Sequence, residues 1–258
     1  MDTKEKFVSF YTIVRKDVFR IVRLWPQTLL PSLVTSTLYF LIFGTFLGSR
    51  IGHVGDVPYM NFVMPGLVML AVVTNAFSNV ATTFFTAKFF TRNIEEILVS
   101  PTPPWVIIAG FVSGGVVRGL MVGVLVMLAS LFFGTLVIHN VAVILAFLFI
   151  TSLVFSLAGL VNGIYAKNFD GISIVPTFVL TPMTYLGGVF YSVAILPEPW
   201  QTISHFNPIF YIINGFRYGF LGTSDVSLAA SFSVLIALAV LLFLANLYLM
   251  KKGLGLKQ

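Results

Sequence analysis

The residues best suited to acid–base chemistry are nine carboxylates and three histidines, and all of them fall outside the long apolar runs of the sequence. They are Asp2, Glu5, Asp17, Asp56, Glu95, Glu96, Asp170, Glu198, Asp225, His53, His139 and His205. A proton-driven carrier usually needs a titratable group at membrane depth, and an intramembrane hydrolase needs a nucleophile with a base beside it. Because the apolar runs contain no carboxylate or histidine, the sequence predicts no catalytic residue.

A metal or nucleotide site is not predicted either. Glu198 and His205 could be considered as metal ligands, but their spacing fits no strong template. The sequence has no cysteine, which excludes disulfides and thiolate ligands. It also has no GxxxxGK[ST] motif, so it lacks a P-loop for nucleotide phosphates. We therefore expect the chain to bind no metal and no cofactor directly.

Two series of polar side chains do occur inside apolar runs, at helical spacing. The first series is Asn75, Ser78, Asn79, Thr82 and Thr86. The second series is Ser173, Thr177, Thr181 and Tyr185, with Pro176 and Pro182 as expected kinks. Polar stripes in membrane helices often only join the helices together. The functional alternative is that the two stripes line a substrate path.

Arg118 is the one charged residue inside an apolar run. It lies about 16 residues from the outer end of that run near Gly134, or about 24 Å at ~1.5 Å per residue. This depth places it a few Å above the inner boundary of the membrane. Its guanidinium could therefore snorkel to the cytoplasmic interface, or it could take part in a cytoplasmic gate.

Composition indicates that membrane helices position these residues. The 258-residue sequence is 58% hydrophobic and 9% charged, whereas soluble domains carry about 25% charged residues. The length allows one transmembrane domain and no sizeable soluble domain. The net charge of +6 is more typical of cations at a cytoplasmic membrane face than of nucleic-acid binding in so apolar a chain. The opening residues MDTKEKFVSFYTIV do not have the pattern of a cleavable signal peptide.

Six apolar runs are long enough to cross a hydrocarbon core about 30 Å thick, which takes about 20 residues. We place them at 27–48, 62–87, 105–133, 141–165, 172–193 and 227–250. Residues 4–25 precede them and form an amphipathic helix, typical of a helix that lies in the membrane interface. The predicted fold class is therefore all-α, a polytopic membrane protein with six transmembrane helices.

The cationic residues predict the orientation of these spans. Of the 15 Lys and Arg residues, Arg118 lies within a span, and Arg50 and Arg217 lie on the side opposite to the termini. The other twelve share the side of both termini. Because short cytoplasmic segments are enriched in Lys and Arg, both termini are expected in the cytoplasm.

The outer stretch between the fifth and sixth spans, residues 194–224, is rich in aromatic residues and contains Pro197, Pro199 and Pro208. The prolines argue against a plain helix, and aromatic residues concentrate at membrane faces. We therefore expect this segment to lie at the outer face and to dip partly into the membrane. An ordinary amphipathic loop is the simpler alternative.

The cytoplasmic segment KFFTRNIEEILVSPTPP, residues 88–104, predicts a short rigid helix at 93–100. Asn93 and Glu96 have the spacing of a capping pair, and the prolines from Pro101 onward stop the helix. The apolar side of this helix consists of Ile94, Ile97 and Leu98, and its two adjacent acids are Glu95 and Glu96. A mere connector does not need these features, and they favour the docking of a soluble partner.

Several of these elements in this order resemble the ABC-2 class of ABC-transporter permeases. They are the amphipathic N-terminal helix, the six apolar runs, the IEEILVSP element and the outer GGVFYS…LP…FNP…GFRYG stretch. The resemblance covers essentially the whole chain. No single motif is as specific as a P-loop, and it is the combination that carries the resemblance.

The resemblance implies a permease that has no ATPase of its own and pairs with a separate ABC ATPase subunit, which binds ATP and Mg. Two permeases and two ATPases would form an exporter in the bacterial inner membrane. Residues 4–25 would be a connecting helix, and residues 194–224 would be re-entrant outer helices. The coupling helix at 93–100 would contact the ATPase through Ile94, Glu95, Glu96, Ile97 and Leu98. The substrate path would include Asn75, Ser78, Asn79, Thr82, Thr177, Thr181 and Tyr185.

The expected function is therefore that of the membrane subunit of an ATP-driven exporter. Its substrate would be hydrophobic, lipid-linked, a polysaccharide or drug-like. Its partners would be the ATPase, a second copy of itself and membrane lipids, with no nucleic acid. The alternative is a stand-alone carrier or channel that needs no ATPase.

Overall fold

The computed structural model describes residues 2–55, 57–91, 93–135 and 137–255, and these residues are mostly helical. The first helices are α1 (Thr3–Arg23), α2 (Trp25–Thr28), α3 (Leu30–Tyr39), α4 (Gly48–Ile51), α5 (Tyr59–Phe89), α6 (Asn93–Val99) and α7 (Pro104–Ser130). The later ones are α8 (Val141–Tyr165), α9 (Phe169–Val175), α10 (Thr181–Leu186), α11 (Glu198–His205), α12 (Pro208–Leu221) and α13 (Leu228–Lys252). Two π-helical segments, Phe40–Leu47 and Pro176–Leu180, and a 3₁₀ turn, Val193–Ile195, lie between them.

Five helical segments are long and apolar enough to cross a membrane. They are Trp25–Ile51, Tyr59–Phe89, Pro104–Ser130, Val141–Tyr165 and Leu228–Lys252. Each agrees with a predicted span to within three residues at either end. The prediction of an all-α polytopic membrane protein is therefore confirmed.

The predicted span 172–193 is not among these five segments. That part of the chain forms a helical path, Phe169–Leu186, in which α9, the π-helical segment and α10 follow one another without a gap. The path ends at Leu186, and the chain turns at Gly188, whose φ of +80° is readily adopted by glycine. The sixth crossing of the membrane stays a prediction.

The second span, α5, is the central helix of the fold and packs closely against α7 and α8. Gly115 of α7 faces the hydroxyl of Ser156 on α8, and Gly159 of α8 faces the carbonyl oxygen of Phe77 on α5. A Cβ atom at either glycine would collide with these atoms. Small residues thus allow the three helices to approach backbone to backbone.

The first span is less regular than α5. Pro26 and Pro31 lie in the first turns of α2 and α3, where a missing backbone N–H leaves no helical hydrogen bond unmade. The π-helical segment Phe40–Leu47 then continues into α4. A short antiparallel pair, His53–Val54 with Val57–Pro58, connects this span to α5.

The N-terminal helix, α1, begins with a capping box formed by Asp2 and Glu5. One side of α1 packs on α7, where Asp17 lies directly against Gly114. The apolar side chains that remain exposed on α1 are Phe7, Val8, Tyr11, Phe19 and Val22. These side chains could contact lipid. The helix predicted at 4–25 corresponds to α1, Thr3–Arg23, and its location in the membrane interface stays a prediction.

The outer segment after α10 is broken into the 3₁₀ turn, α11 and α12. Pro197 and Pro208 lie at the starts of α11 and α12, as the helix-breaking prolines predicted. The 14 residues of α12 span about 21 Å at ~1.5 Å per residue, which is too short to cross a core about 30 Å thick. The helix packs on α5, α8 and α13, and its re-entrant placement in a membrane stays a prediction.

Arg217 of α12 is a buried cation that joins three elements. Its Nη2 donates a hydrogen bond of 2.8 Å to the carbonyl oxygen of Gly188, and its guanidinium lies 3.8 Å from the centre of the Phe62 ring. Burial lowers the pKa of the Arg217 guanidinium to about 10, and the Asp225 carboxylate opposes this shift. The side chain therefore stays charged at neutral pH and fixes α12 to α5 and to the turn after α10.

Candidate transport path and coupling site

A cavity of about 310 Å³, which we call the outer cavity after the predicted orientation, lies between α3, α5 and α10. Its polar lining is Ser32, Thr35, Ser36, Thr74, Asn75, Thr181 and Thr184. Asn75 belongs to the first predicted stripe, and Thr181 and Tyr185, which also lines the cavity, belong to the second. Members of the two stripes therefore meet at one site.

The first span contributes polar groups to the outer cavity that the stripes did not include. Ser32 Oγ donates a hydrogen bond of 2.9 Å to Asn75 Oδ1, so α3 and α5 are joined inside the cavity wall. Thr35 lies in the next turn of α3 and also lines the cavity. The sequence signal for these residues is a Ser/Thr series at three- and four-residue steps directly after Pro31.

Other members of the stripes lie away from the outer cavity. Ser173 and Thr177 are exposed on the surface of the chain, as is Thr82 of α5. Ser78 is half-buried and does not line the outer cavity. The structure thus brings together only part of each predicted stripe within one copy of the chain.

Aromatic rings line one side of the outer cavity. Tyr39, Tyr185 and Phe190 all contribute to its lining. The Phe190 ring stacks on Tyr185 at 5.9 Å and packs at a tilt against Phe43 at 4.3 Å between ring centres. The hydroxyl of Tyr59 donates a hydrogen bond of 3.1 Å to the backbone carbonyl of Phe190 and holds this part of the chain against α5.

A charged network joins α1 to α5 on the side of the outer cavity nearer to α6. Arg20 Nη2 lies 2.6 Å from Asp17 Oδ1 and 3.0 Å from Asn79 Oδ1. It also donates to the hydroxyl of Thr83 at 2.6 Å. Asn79 Nδ2 donates to the other Asp17 oxygen at 3.1 Å, so both carboxylate oxygens have partners. The sequence analysis missed Asp17 and Arg20 because it assigned them to a helix on the membrane surface.

Arg118 points into this network. Its Nη2 donates to the backbone carbonyl of Thr28 at 2.8 Å, and its Nη1 lies 3.4 Å from Asn79 Oδ1. Its Nε is buried and has no hydrogen-bond partner within the described part of the chain. In this conformation the guanidinium is held between the first three spans rather than extended toward the helix ends.

A larger cavity of about 690 Å³, the inner cavity, lies between α1, α6 and the adjoining ends of α5 and α7. Its charged lining residues are Lys16, Asp17, Arg20 and Glu96. Its apolar lining is Val8, Ile13, Ala87, Ile97 and Phe111, and its hydroxyl-bearing lining is Ser9, Thr12, Thr83, Thr86, Thr91, Ser100 and Thr102. This mixed lining suits a molecule with one polar end and one apolar end.

The short helix α6 spans Asn93–Val99, close to the predicted 93–100. The side chain of Asn93 lies outside the described residues, so its predicted cap stays a prediction. Glu95, Glu96 and Leu98 are exposed, and Val99 is 88% exposed. Ile97 is half-buried, and Ile94 is only 2% exposed.

The residues of α6 that were predicted to contact the ATPase do not all face outward, because Ile94 is buried. Its side chain belongs to a buried cluster that includes Phe84 and Ile107 and is formed by α5, α7, α8 and α13. In this conformation it anchors α6 to the rest of the chain, and Leu98, Glu95 and Glu96 are the members available to a partner. Val99 is a further exposed apolar residue that the sequence analysis did not include.

The chain matches the ABC-2 type transporter family over residues 8–221. It is 54% identical over 252 residues to the inner membrane transport permease YadH of Escherichia coli (strain K12), with 98% of each chain covered. It is 27% identical over 222 residues to nodulation protein J of Sinorhizobium fredii, with 85% of this chain and 83% of that protein covered. Nodulation protein J of Rhizobium leguminosarum bv. viciae is 25% identical over 229 residues, with 88% of each covered. This chain therefore belongs to the ABC-2 type transporter family, as its sequence pattern predicted.

Proposed function

We propose that the chain is the transmembrane subunit of an ATP-driven exporter, in which two copies work with two separate ABC ATPase subunits. The observation that carries the proposal is the order of polar side chains along α5. Asn75 lines the outer cavity, Asn79 belongs to the charged network, and Thr83 and Thr86 line the inner cavity. From Asn75 to Thr86 the helix rises about 16 Å at ~1.5 Å per residue. One continuous helix face therefore joins the two cavities through the network.

The proposed path runs along this face of α5. The hydrogen bonds of Asp17, Arg20, Asn79 and Arg118 separate the two cavities in the present conformation. They would have to rearrange before a substrate could pass. Arg118, considered from the sequence as part of a cytoplasmic gate, would take this role together with Asp17 and Arg20.

Energy would enter through α6. The chain has no P-loop, so ATP and Mg would bind to the partner ATPase. Glu96 and Ile97 of α6 line the inner cavity, while Leu98 and Val99 are exposed. A movement of α6 imposed by the ATPase would therefore change the shape of the inner cavity directly. We assign the contact with the ATPase to Glu95, Glu96, Leu98 and Val99.

A second copy of the chain would complete the path. Thr177, Thr181 and Ser173 are exposed on the Phe169–Leu186 path beside apolar residues such as Phe178. Hydroxyl groups on a helix face that met only lipid would lack partners outside their own helix. We therefore place this face toward the second copy. The predicted orientation, with both termini in the cytoplasm, would put the inner cavity and α6 on the side of the ATPase.

The experiment that tests this function compares efflux from proteoliposomes that contain the chain with its ATPase, the chain with an ATPase whose P-loop lysine is replaced, or the chain alone. Compounds are first screened for stimulation of ATP hydrolysis by the complete complex. We expect efflux of a stimulating compound only with the active ATPase. Equal efflux in all three preparations would show a stand-alone carrier or channel instead.

A further inference from the structure

The inner cavity presents positive charge at the end where it meets the charged network. The side chain of Arg20 lines this end and is 37% exposed. The side chain of Asp17 is only 5% exposed, and its two oxygens accept hydrogen bonds from Arg20 and Asn79. The carboxylate is thus occupied within the protein, whereas part of the neighbouring guanidinium remains accessible from the cavity.

The network also contains one more cation than carboxylate. Arg20 pairs with Asp17, but Arg118 has no carboxylate within ion-pair distance among the residues that the structure describes. Its Nε lacks a hydrogen-bond partner within the same residues. A cation without a counter-ion inside a membrane protein is costly and usually marks a functional site. Arg118 does not line the inner cavity, but it shares the Asn79 Oδ1 acceptor with Arg20, which does. An anionic group at Arg20 would therefore lie close to both guanidinium groups and balance this charge, and a guanidinium binds phosphate or carboxylate well.

Apolar side chains continue from the charged end toward the mouth of the cavity. Ile13 of α1, Phe111 of α7 and Ile97 of α6 line its walls. A volume of about 690 Å³ lies within the range of about 300–1,000 Å³ found for small-molecule sites. The cavity therefore offers a cationic end at Arg20 and an apolar wall to the same molecule, while its other carboxylate, Glu96, belongs to α6.

We propose that the inner cavity binds an amphipathic anion, with its phosphate or carboxylate at Arg20, where the charge of Arg118 behind Asn79 also attracts it, and with its apolar part against Ile13, Ile97 and Phe111. Because Ile97 belongs to α6, the occupant would touch the helix that we assign to coupling. As a statement about the substrate class, this rests on the proposed function. As a statement about binding, it can be tested without an ATPase and without transport.

The test uses thiol protection, because the native chain has no cysteine. Thr86→Cys places a thiol in the inner cavity, and Thr82→Cys places a matched thiol one turn away on the exposed side of α5. Each variant is reconstituted in phosphatidylcholine nanodiscs, where both faces are accessible, and the rate of reaction with N-ethylmaleimide is measured. Monododecyl phosphate is the probe, and dodecyl glycerol ether and inorganic phosphate are its neutral and headgroup-only controls.

We expect monododecyl phosphate to slow the reaction of Thr86→Cys and to leave Thr82→Cys unaffected, with little effect of either control compound. Nanodiscs with added phosphatidylglycerol identify the source of the anion. Protection by this lipid alone would mean that the site takes a bilayer lipid, and protection only by the added amphiphile would mean that it takes a separate molecule. Both results support an anion site.

Charge variants in the Thr86→Cys background distinguish binding from structural damage. Arg118→Gln should raise the half-protecting concentration about tenfold, or ~1.4 kcal/mol, whereas Asp17→Asn should lower it severalfold because it removes a competing negative charge. Arg118→Lys should stay near the parent. Lys251→Gln, which removes an exposed cation from the end of α13, should change nothing. If Arg118→Gln does not fold, Lys16→Gln takes its place, because Lys16 is a cationic residue that lines the cavity.

The outcomes that would overturn the proposal are equally specific. Equal protection by dodecyl glycerol ether would show an apolar site without anion selectivity. A change in the same direction for Asp17→Asn and Arg118→Gln would show that the network only supports the fold. An absence of protection by both monododecyl phosphate and phosphatidylglycerol would show that the inner cavity has no anion site. The transport experiment could still support the proposed function in that case.

Discussion

Asn79 of α5 accepts a hydrogen bond from Arg20 of α1 at 3.0 Å and donates one to Asp17 at 3.1 Å through the same amide. This single side chain therefore satisfies both members of the ion pair that fixes the N-terminal helix to the second span. Asn79 is 1% exposed, so water cannot replace it. The relationship makes the position of α1 dependent on a residue of the proposed path.

Replacing Asn79 with Leu should destabilise the protein as well as reduce transport. The change leaves Asp17 Oδ2 without its donor, whereas Arg20 Nη2 keeps Asp17 and Thr83 as acceptors. An unpaired buried polar group costs about 1–3 kcal/mol. The melting temperature in detergent and the rate of efflux measure the two effects. Thr82→Leu, on the exposed side of the same helix, is the matched control and should change the melting temperature little. Equal melting temperatures for the two variants would contradict this assignment.

Replacing Asn75 or Thr181 with Leu should reduce transport by tenfold or more with little loss of the folded protein. Both side chains line the outer cavity from opposite helices, and a larger apolar side chain would fill part of its volume of about 310 Å³. Efflux is compared with binding of the ATPase in the same preparation. Ser233→Leu, exposed on α13, is the control. Normal efflux in both cavity variants would mean that these residues serve only helix packing.

The sequence predicted most membrane helices because their apolar runs are long and uninterrupted, as in Val141–Tyr165. It could not predict the burial of Asp17, because that depends on Gly114 of α7 being small enough to receive the carboxylate. Periodicity within α1 shows only which residues share a face. The partner that covers that face is about 100 residues away in the chain.

The same limit explains the split within α6. From the sequence, Ile94, Ile97 and Leu98 form one apolar side. The structure directs Ile94 into the core beside Phe84 and leaves Leu98 exposed. A seven-residue helix has two apolar surfaces when one side packs on its own protein, and spacing alone does not show which residue serves which surface.

The coupling prediction follows from this division. Leu98→Ala and Val99→Ala should weaken co-purification of the ATPase more than Glu95→Ala, since buried apolar anchors usually contribute more than charges at a rim. Glu96→Lys should also weaken it through charge reversal. Ile94→Ala should instead destabilise the permease by about 2–5 kcal/mol, as for other large-to-small core changes.

Co-purification and the melting temperature of the permease alone are measured for each variant. Ile94→Ala should lower the melting temperature, whereas Val99→Ala should not. A triple variant Glu96→Lys, Leu98→Ala, Val99→Ala that retained full association and full transport would show that α6 is not the coupling element.

Gly114→Ala should displace α1 from α7. The added Cβ would occupy the position of Asp17 Oδ2, and overpacking of this kind costs about 1–3 kcal/mol. The expected result is a lower melting temperature and faster proteolysis within Thr3–Arg23. Ser113→Ala, the neighbouring half-buried residue of α7, should leave both measurements nearly unchanged. Similar melting temperatures and proteolysis rates for the two variants would argue against a close contact between Asp17 and Gly114.

Topology can be tested with single cysteines at exposed positions. Thr202 in α11 and Val99 in α6 are both exposed, whereas Ser204 is fully buried and would react poorly on either side. In intact cells, Thr202→Cys should react with an impermeant thiol reagent added outside, and Val99→Cys should react only after permeabilisation. The opposite pattern would invert the predicted orientation.

The close contact of Gly159 with the carbonyl oxygen of Phe77 limits where the protein can move. Helices that touch backbone to backbone cannot slide past each other without collision, so α5 and α8 should behave as one rigid body. The opposite wall of the outer cavity belongs to α3 and α10, each of which adjoins a π-helical segment. Spin-label distances between α5 and α8 should stay constant during the ATP cycle, while those between α5 and α3 or α10 change. The path would then open from one side only, because α5 and α8 stay fixed while α3 and α10 move.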